Sequence, residues 1–437
     1  MALGGGNFVT QNKVLPGSYI NFVSADNGVN VFGERGTGVI GASSTYNDGL
    51  IHTVTKEDFQ KNSLAIFGYE YSAPEIAWVR DFFKNGKTLI FAGLNTDGAV
   101  KASNTYCTAK CYGIRGNDIK TVIQTNVDDS SKFDVLTYMG TALVDTQTVA
   151  TAGELVDNDY VVFGSAALTV TAGISMTGGK NGAVTGTTVQ NFLSKIESYS
   201  FNAITTCGYN DDLLVEWTKR MRDEVGMKFQ CVVYDTTTAP DYEGCVCILG
   251  GDKGDFDNTL SWVCGALAGC EINKSLTNKV YDGEYLSQAD ALEYASSYSQ
   301  SELEEFIKGG YFAFHRVGSE VRVLMDINSL TSFTDEKGSV FCDNQTIRVC
   351  DQIANDIATI FNNYYLGKVQ NDDAGRTSFW SEIVKHHETL AGLRAIEDFN
   401  SEDITVTQGD TKKSVVVTDC ITPVNAMTQL YMTVVVQ

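Results

Sequence analysis

The chain has 437 residues, 43% hydrophobic and 20% charged, which is the composition of a folded protein too long for one ordinary core. Its 54 acidic residues outnumber its 32 basic ones, and the net charge of −22 argues against nucleic-acid binding, because phosphate contacts need clustered Lys and Arg. No run approaches the roughly 20 apolar residues of a membrane span, and the start lacks a signal-peptide pattern, so we expect a protein made and kept in the cytoplasm and not inserted in a membrane.

Residues 1–20 are predicted to form an extended N-terminal arm. Pro16 follows a Gly-rich start and precedes the alternating stretch "YINFVS", the pattern of an extended segment that enters a folded body. The residues assigned to this arm are Val14, Leu15, Pro16, Gly17 and Tyr19.

Residues 21–96 and 186–330 are predicted to form a middle α/β domain. In "APEIAWVRDFFKNGK" one helix face carries the apolar residues Ile76, Val79, Phe82 and Phe83. After residue 186, helices such as "DDLLVEWTKRMRDEVG" alternate with buried strands such as "KFQCVVYD", as in an α/β layer.

Residues 97–185 interrupt that domain with a different texture. Short alternating runs such as "IKTVIQTNV" and "KFDVLTYM" are separated by turn clusters, and no helical period is present. We therefore predict a β-domain carried as an insertion.

Residues 331–422 are predicted to form a C-terminal α+β domain. A long helix with an apolar stripe from Ile347 to Phe361 is followed by a second helix, residues 376–394, and by terminal strands. In the second helix Phe379, Ile383 and Leu390 face inward, whereas Lys385, His386, Glu388 and Arg394 are expected to be partly exposed.

The last segment, residues 423–437, is predicted to be a C-terminal arm that contains a strand. Both strand faces are apolar and expect cover, and an uncovered strand of this kind templates aggregation. It either completes the sheet of its own subunit, as most terminal strands do, or pairs with a neighbouring subunit. Its residues are Leu430, Met432, Val434 and Val436 on one face and Tyr431, Thr433 and Val435 on the other.

"GTGVIG", residues 36–41, matches the dinucleotide fingerprint GxGxxG. No helical period follows it, so it offers no helix N-terminus for a phosphate, and a Gly-rich turn or bulge between strands is the preferred interpretation. The motif remains the candidate site of an alternative class, a cytoplasmic α/β enzyme or ligand-binding protein.

The sequence predicts no metal site and no cofactor. Eleven cysteines without a CxxC are expected to be mostly small buried hydrophobes, and the adjacent His386 and His387 point about 100° apart on a helix and cannot bind one ion together. A solvated or interface helix face is the default interpretation of that pair. The acidic stretch "GGDKGDFDN", residues 250–258, lacks the bidentate Glu of a calcium loop and is interpreted as a surface loop.

Several stretches together resemble one family, the sheath proteins of contractile phage tails and phage-tail-like particles, especially the branch from phages and defective prophages of Gram-positive bacteria. They occur in the family's order and span nearly the whole chain. The stretches are "VLPGSYINFVS" (14–24), "YGIRGNDIKTVIQ" (112–124), "TGGKNGAVT" (177–185), "LSWVCGALAGCEINKSLTNKVYDG" (260–283), "AIEDFNSEDITV" (395–406) and "PVNAMTQLYMTVVVQ" (423–437).

The resemblance implies an inner C-terminal domain, a middle α/β domain and a peripheral β-insertion. It also implies terminal arms that lend strands to neighbouring subunits, so that rings stack into a helical sleeve around a tail tube. Carried onto this chain, Leu430–Val436 is the exchanged strand, and the helix with Arg376, Lys385, His386 and Arg394 faces the tube. The length of 437 residues exceeds that of the simplest members.

The function predicted from the sequence is therefore a non-enzymatic subunit of a contractile tail sheath, a component of a phage tail or tail-like particle. The partners implied by the resemblance are further copies of the chain, a tail tube protein, and baseplate and tail terminator proteins. A non-contractile shell protein that exchanges strands is the second alternative.

Overall fold

The computed structural model describes residues 33–235, 238–249 and 256–436. Within those ranges the strands are β1 (Thr37–Ala42), β2 (His52–Thr55), β3 (Thr88–Gly93), β4 (Lys101–Ser103), β5 (Cys107–Tyr112), β6 (Ile119–Thr125), β7 (Phe133–Met139), β8 (Ala142–Val149), β9 (Val161–Phe163), β10 (Thr171–Ser175), β11 (Ala203–Thr205), β12 (Gln230–Asp235), β13 (Cys245–Leu249), β14 (Tyr311–Phe312), β15 (Phe314–Val317), β16 (Glu320–Val323), β17 (Ile396–Glu397), β18 (Ile404–Gln408), β19 (Val415–Asp419) and β20 (Thr422–Pro423). The α-helices are α1 (Lys56–Phe67), α2 (Ala77–Phe83), α3 (Gly186–Ile196), α4 (Asp211–Arg220), α5 (Leu260–Gly269), α6 (Gln288–Ser296), α7 (Gln300–Lys308), α8 (Asn344–Ile360) and α9 (Asp373–Gly392).

The largest sheet has seven strands in the order β14-β13-β12-β11-β1-β3-β2. All neighbours pair in parallel except β2, which runs antiparallel to β3 at the edge. Between β3 and β11 the chain leaves this sheet and then returns to pair beside β1. The predicted α/β domain, interrupted by an insertion, is confirmed.

Helices cover both faces of this sheet, as a buried parallel sheet requires. Strand β1 alternates between the two cores: Val39 packs on one side with residues of α3 and α4, and Ile40 on the other with residues of α1, α2, α5 and α6. The apolar face predicted around α2 is confirmed. Ile76, directly before the helix, and Val79 and Phe82 within it are all buried in the core that contains Ile40.

"GTGVIG" is a buried strand, so the turn or bulge expected at residues 36–41 is wrong. Residues 37–42 form β1 between β3 and β11, and five of the six are buried. The glycines serve close packing: a Cβ on Gly38 would lie 2.4 Å from a ring carbon of Phe82, and one on Gly41 would lie 2.9 Å from Phe192. The motif thus brings helices against the sheet and leaves no cradle for a dinucleotide.

The inserted region is a β-sandwich. A three-stranded sheet, β4-β5-β9, and a four-stranded sheet, β10-β6-β7-β8, share one apolar core. Ala102 and Ala109 enter that core from the first sheet, and Ile119, Ile123 and Val135 enter it from the second. The β-insertion predicted from the short alternating runs is confirmed.

The described chain divides into two compact units. One contains residues 34–354 and 423–436, and the other contains residues 355–422 with Gly33. The second unit is built from the end of α8, a π-helical turn at Phe361–Tyr365, α9 and the strands that follow. Its core consists of Ile360, Phe379, Ile383 and Ile404.

None of the eleven cysteines, all of which lie within the described ranges, forms a disulfide, and seven are buried. Burial raises the pKa of the Cys111 thiol to about 12, so this side chain stays neutral and behaves as a small hydrophobe. The prediction that most cysteines are buried is confirmed. In the part of the chain that the structure describes, no group of three or more His, Cys, Asp or Glu side chains could hold a metal ion.

Asp81 carries a pH dependence of stability. It is fully buried on α2 and accepts hydrogen bonds from the backbone N–H groups of Glu284 (2.7 Å) and Tyr285 (2.9 Å). Burial raises its pKa to about 6, against which these bonds act only partly. Because the folded state holds a proton that the unfolded chain releases near pH 4, the free energy of unfolding should fall as pH rises from about 4 to 6.

Asp81→Asn removes this titration. The difference in unfolding free energy, wild type minus variant, is expected to fall by up to about 3 kcal/mol over that pH range, measured by urea unfolding in a pH series. Asp159→Asn, at an exposed position, provides the control. A difference that stays constant between pH 4 and 6 would contradict this assignment.

Candidate assembly surfaces

A β-hairpin forms one surface of the second unit, residues 355–422. Strands β18 and β19 pair antiparallel, with Ile404 opposite Asp419 and Val406 opposite Val417. The inward side chains pack against the unit's core, whereas Thr405, Thr407 and Val416 point to solvent. The indole N–H of Trp380 on α9 donates to the Ile404 carbonyl at 3.0 Å and fixes the hairpin on the helix.

The hairpin is a two-stranded sheet, so each of its strands has one edge that no described strand covers. Its turn is held by Asn371, whose side-chain amide donates to the carbonyls of Ser414 (2.8 Å) and Lys412 (3.1 Å). A rigid hairpin with open edges presents backbone N–H and C=O groups to an added strand.

The C-terminal ribbon, which we define as Leu430–Val436, is assigned to no strand in the described chain. Its side chains lie in solvent: Leu430 is 84% exposed, Tyr431 87% and Val436 89%. An apolar segment of this length is seldom left uncovered by a protein that acts alone. Exchange of the ribbon between subunits stays a prediction. The residues predicted to form the N-terminal arm lie outside the described part of the chain: Val14, Leu15, Pro16, Gly17 and Tyr19.

Helix α9, predicted for residues 376–394, spans Asp373–Gly392 and begins with the Asp372 side chain as its N-cap. Arg376 is half-buried and donates to the carbonyl and side-chain oxygens of Asn371 at 3.1 and 3.0 Å. Arg394 lies beyond the helix end, exposed and in a left-handed conformation with φ 59°.

Lys385 is exposed near the end of the same helix. Its ammonium lies 2.9 Å from the Glu382 carboxylate, one helical turn earlier. That hydrogen bond raises the pKa of Lys385, so the side chain stays charged at any ordinary pH. Of the four residues predicted to face a tube, Lys385 and Arg394 thus combine charge with exposure.

The exposed face expected at His386 and His387 is wrong, because both rings are buried. Nε2 of His386 lies 2.9 Å from Asp356 Oδ2, and Nε2 of His387 lies 2.9 Å from Asp419. The physical reason is their spacing: 383, 386, 387 and 390 follow the i, i+3, i+4, i+7 pattern of one helix face, the face that Ile383 and Leu390 already bury. This spacing was the signal that could have placed them inside.

The polar interior of α8 was missed by the sequence analysis. Arg348 is buried, and its guanidinium donates to Asp326 at 2.5 Å and to the Lys274 carbonyl at 2.9 Å. Arg222 makes a bidentate pair with Asp351 on the same helix, at 2.6 and 2.8 Å. These partners lie 22 and 129 residues apart in sequence, so no local pattern could have found them.

Most of the acidic stretch at 250–258 lies outside the described residues. Among the residues that are described, no helix is both long enough and apolar enough to cross a membrane.

Three family models match consecutive parts of the chain. The phage tail sheath protein beta-sandwich domain matches residues 95–181, the phage tail sheath protein central domain residues 182–329, and the phage tail sheath C-terminal domain residues 336–437.

Two proteins of Bacillus subtilis strain 168 are similar over their full lengths. The uncharacterized protein YqbK is 31% identical over 481 aligned residues, covering 100% of both chains. The phage-like element PBSX protein XkdK is 30% identical and covers 99% of both chains.

Solved structures give the same picture. The sheath tail protein from Desulfitobacterium hafniense is 33% identical, with a TM-score of 0.79 over 94% of this chain and 98% of that one. The helical sheath of the anti-feeding prophage in its contracted state shares the fold alone, at 9% identity and a TM-score of 0.54 over 97% of this chain and 99% of that one.

Proposed function

The chain belongs to the phage tail sheath protein family, and we propose that its subunits build a contractile sleeve by donating their C-terminal ribbons to neighbouring subunits. A tail sheath subunit is a structural protein and not an enzyme, which agrees with the buried position of "GTGVIG" in β1. Two observations carry the proposal: the ribbon is apolar and exposed, and the β18–β19 hairpin has open edges.

Burial, more than hydrogen bonding, drives the donation. Ordering the ribbon costs about 1 to 2 kcal/mol per residue, and each backbone hydrogen bond returns only about 0.5 to 1.5 kcal/mol, so these contributions nearly cancel. Covering four to six large side chains adds about 1.5 to 3 kcal/mol each. The ribbon has large side chains on both faces, which gives the added strand a net gain in free energy.

The acceptor is the β18–β19 hairpin of a neighbouring subunit. Its inner face already packs on α9 and its turn is held by Asn371, so an incoming strand meets an ordered edge and does not have to order the acceptor as well. The N-terminal arm, residues 1–20, contributes a further tether to another neighbour.

Contraction is a change between two packings of the same subunits, in which the folded units move as rigid bodies and the donated strands persist as tethers. The anti-feeding prophage sheath, which shares this fold, is known in a contracted state. Energy is stored when the sleeve assembles on the tube, so contacts with the tube are weaker than contacts between subunits.

Lys385 and Arg394 supply the weak contact with acidic groups on the tube. They are exposed basic residues in a region, 331–437, that has 8 basic and 15 acidic residues. Reversing both, Lys385→Glu with Arg394→Glu, is expected to lower sheath binding to purified tubes several-fold at low salt, because exposed ion pairs contribute about 0.2 to 1 kcal/mol each and are screened by salt.

Binding is measured by co-sedimentation of sheath protein with the tube. Lys56→Glu with Lys61→Glu, exposed positions on α1, gives the same change in net charge as the control. Equal loading of wild type and the α9 double variant at low salt would count against this contact.

The proposed function itself is tested by negative-stain microscopy of the purified protein. Hollow tubes of stacked rings are expected at concentrations at which an enzyme of the alternative class would remain a monomer or dimer. A preparation that stays monomeric at high concentration and never forms tubes would argue against the proposal.

A further inference from the structure

The C-terminal arm is held at a defined point by the side chain of Gln345. Its amide nitrogen donates to the Val424 carbonyl at 2.9 Å, and its amide oxygen accepts from the Ala426 N–H at 3.0 Å. Next to it, the Thr346 hydroxyl donates to the Asn425 side chain at 3.2 Å. Gln345 and Thr346 are each 2% exposed, so the clamp side of these bonds is shielded from water.

This set of bonds imitates a strand neighbour. In a parallel ladder one residue donates to the residue before its partner and accepts from the residue after it. Gln345 does the same with its side chain around Asn425, joining Val424 on one side and Ala426 on the other. One amide side chain therefore replaces a strand of backbone and fixes three residues of the arm.

The base of this clamp is itself fixed. The Gln345 N–H donates to Asp343 at 2.8 Å. Asn344, which is fully buried, donates to Asp326 at 3.0 Å and accepts from Gln230 at 2.7 Å. The first turn of α8 therefore presents Gln345 from a rigid support.

The exposed large apolar side chains begin directly after the clamp. Ala426 is the last residue held by Gln345, whereas Met427 has no shielding at 102% exposure and the ribbon beyond is exposed as well. Only Met427–Gln429 separates the clamp from the ribbon. Three residues span at most about 10 Å, so the clamp limits where the ribbon can begin to pair.

We propose that Gln345 is a positioning residue that fixes the root of the C-terminal arm and sets the reach of the donated strand. The inference rests on the proposed strand exchange and adds a specific geometric control to it. Releasing the clamp lengthens the free spacer from residues 427–429 to residues 424–429. Because effective concentration falls roughly as the −3/2 power of tether length, doubling the spacer should raise the critical concentration for tube formation about threefold.

Gln345→Met tests this, since methionine has a similar volume but cannot form the two hydrogen bonds. In the unassembled full-length protein, amide hydrogen exchange at Ala426 is expected to become at least about tenfold faster. The exchange rates of the α8 amides are expected to stay unchanged. The critical concentration for tubes, read from sedimentation, is expected to rise about threefold. Gln147→Met removes a comparable pair of bonds, to the carbonyl and from the N–H of Val156 in the β-insertion, and serves as the control that should leave both readouts at wild-type values.

A rescue variant separates reach from general stability. Gln345→Met combined with deletion of residues 425–427 restores a three-residue spacer and should return the critical concentration to the wild-type value. If Gln345 contributed only to general stability, shortening the arm would not restore the critical concentration. Unchanged exchange at Ala426, an unchanged critical concentration, or failure of the deletion to rescue would each overturn the inference.

Failure of the proposed function gives a different result. A chain without residues 427–437 that still forms tubes would reject strand donation itself, whereas the exchange measurement on Gln345→Met is made on unassembled protein. Loss of tubes on truncation together with a wild-type critical concentration for Gln345→Met would reject the clamp alone.

Discussion

Deletion of residues 427–437 is expected to abolish tube formation and leave a folded subunit. The deleted segment begins after the Gln345 clamp, and its large side chains are exposed in the subunit, so the cores lose no packing. In the assembly the same deletion removes the burial of at least four large side chains, about 6 kcal/mol per interface, which corresponds to roughly a 10⁴-fold loss in association constant.

The measurement combines sedimentation with thermal unfolding of wild type and truncated chain. Replacing Val434 and Val436 with Asp keeps the chain length and isolates the apolar contribution, so this variant should also fail to form tubes. Tubes from the truncated chain at the wild-type critical concentration would show that the ribbon is dispensable.

Arg348→Met is expected to destabilise the larger unit by about 3 to 5 kcal/mol. The substitution leaves the Asp326 carboxylate, itself 1% exposed, without its counter-charge in the interior. Asp326 keeps hydrogen bonds from the Leu276 N–H and the Asn344 amide, but these neutral donors do not replace the guanidinium.

Urea unfolding of the variant measures the loss. Arg348→Met with Asp326→Asn removes both charges and should recover much of the stability, because no unpaired charge remains buried. Arg322→Met breaks an ion pair with Glu320 in which both side chains are partly or fully exposed. This variant should lose less than about 1 kcal/mol of unfolding free energy. A loss below about 1 kcal/mol for Arg348→Met alone would contradict the structural role of this pair.

Local periodicity was sufficient to predict the buried face of an element wherever that face follows the repeat of one strand or one helix. The alternating runs of the insertion and the apolar face of α2 were both predicted from the chain and confirmed, because the side-chain spacing of a strand or helix determines which residues share a face. The burial of most cysteines, predicted from their odd number and the absence of a CxxC, is confirmed as well.

Long-range partners account for most of what the sequence analysis could not predict. The start of α8 is polar yet buried, because Arg348 and Gln345 find partners 22 and 79 residues away. "GTGVIG" resembles a phosphate loop until Phe82 and Phe192 are seen against its glycines. The carboxylates paired with the two histidines, Asp356 and Asp419, are likewise distant in sequence, although the helix-face spacing of the rings was a local signal for their burial.

The assembly surfaces were the least predictable part of the candidate site. The alternation in "LYMTVVV" identified a strand with two apolar faces, but a strand sequence does not specify the edge that receives it. The open-edged hairpin, the most direct candidate for that edge, becomes visible only once β18 and β19 are paired.

Photo-crosslinking from position 431 tests the central claim most directly. A photoreactive phenylalanine analogue replaces Tyr431, tubes are assembled from equal amounts of ¹⁴N- and ¹⁵N-labelled chains, and cross-linked peptides are identified by mass spectrometry. Donation of the ribbon predicts that mixed-isotope pairs are as frequent as same-isotope pairs and map to the β18–β19 hairpin. Cross-links found only between peptides of one isotope would mean that the ribbon stays within its own subunit, and the account would then be wrong.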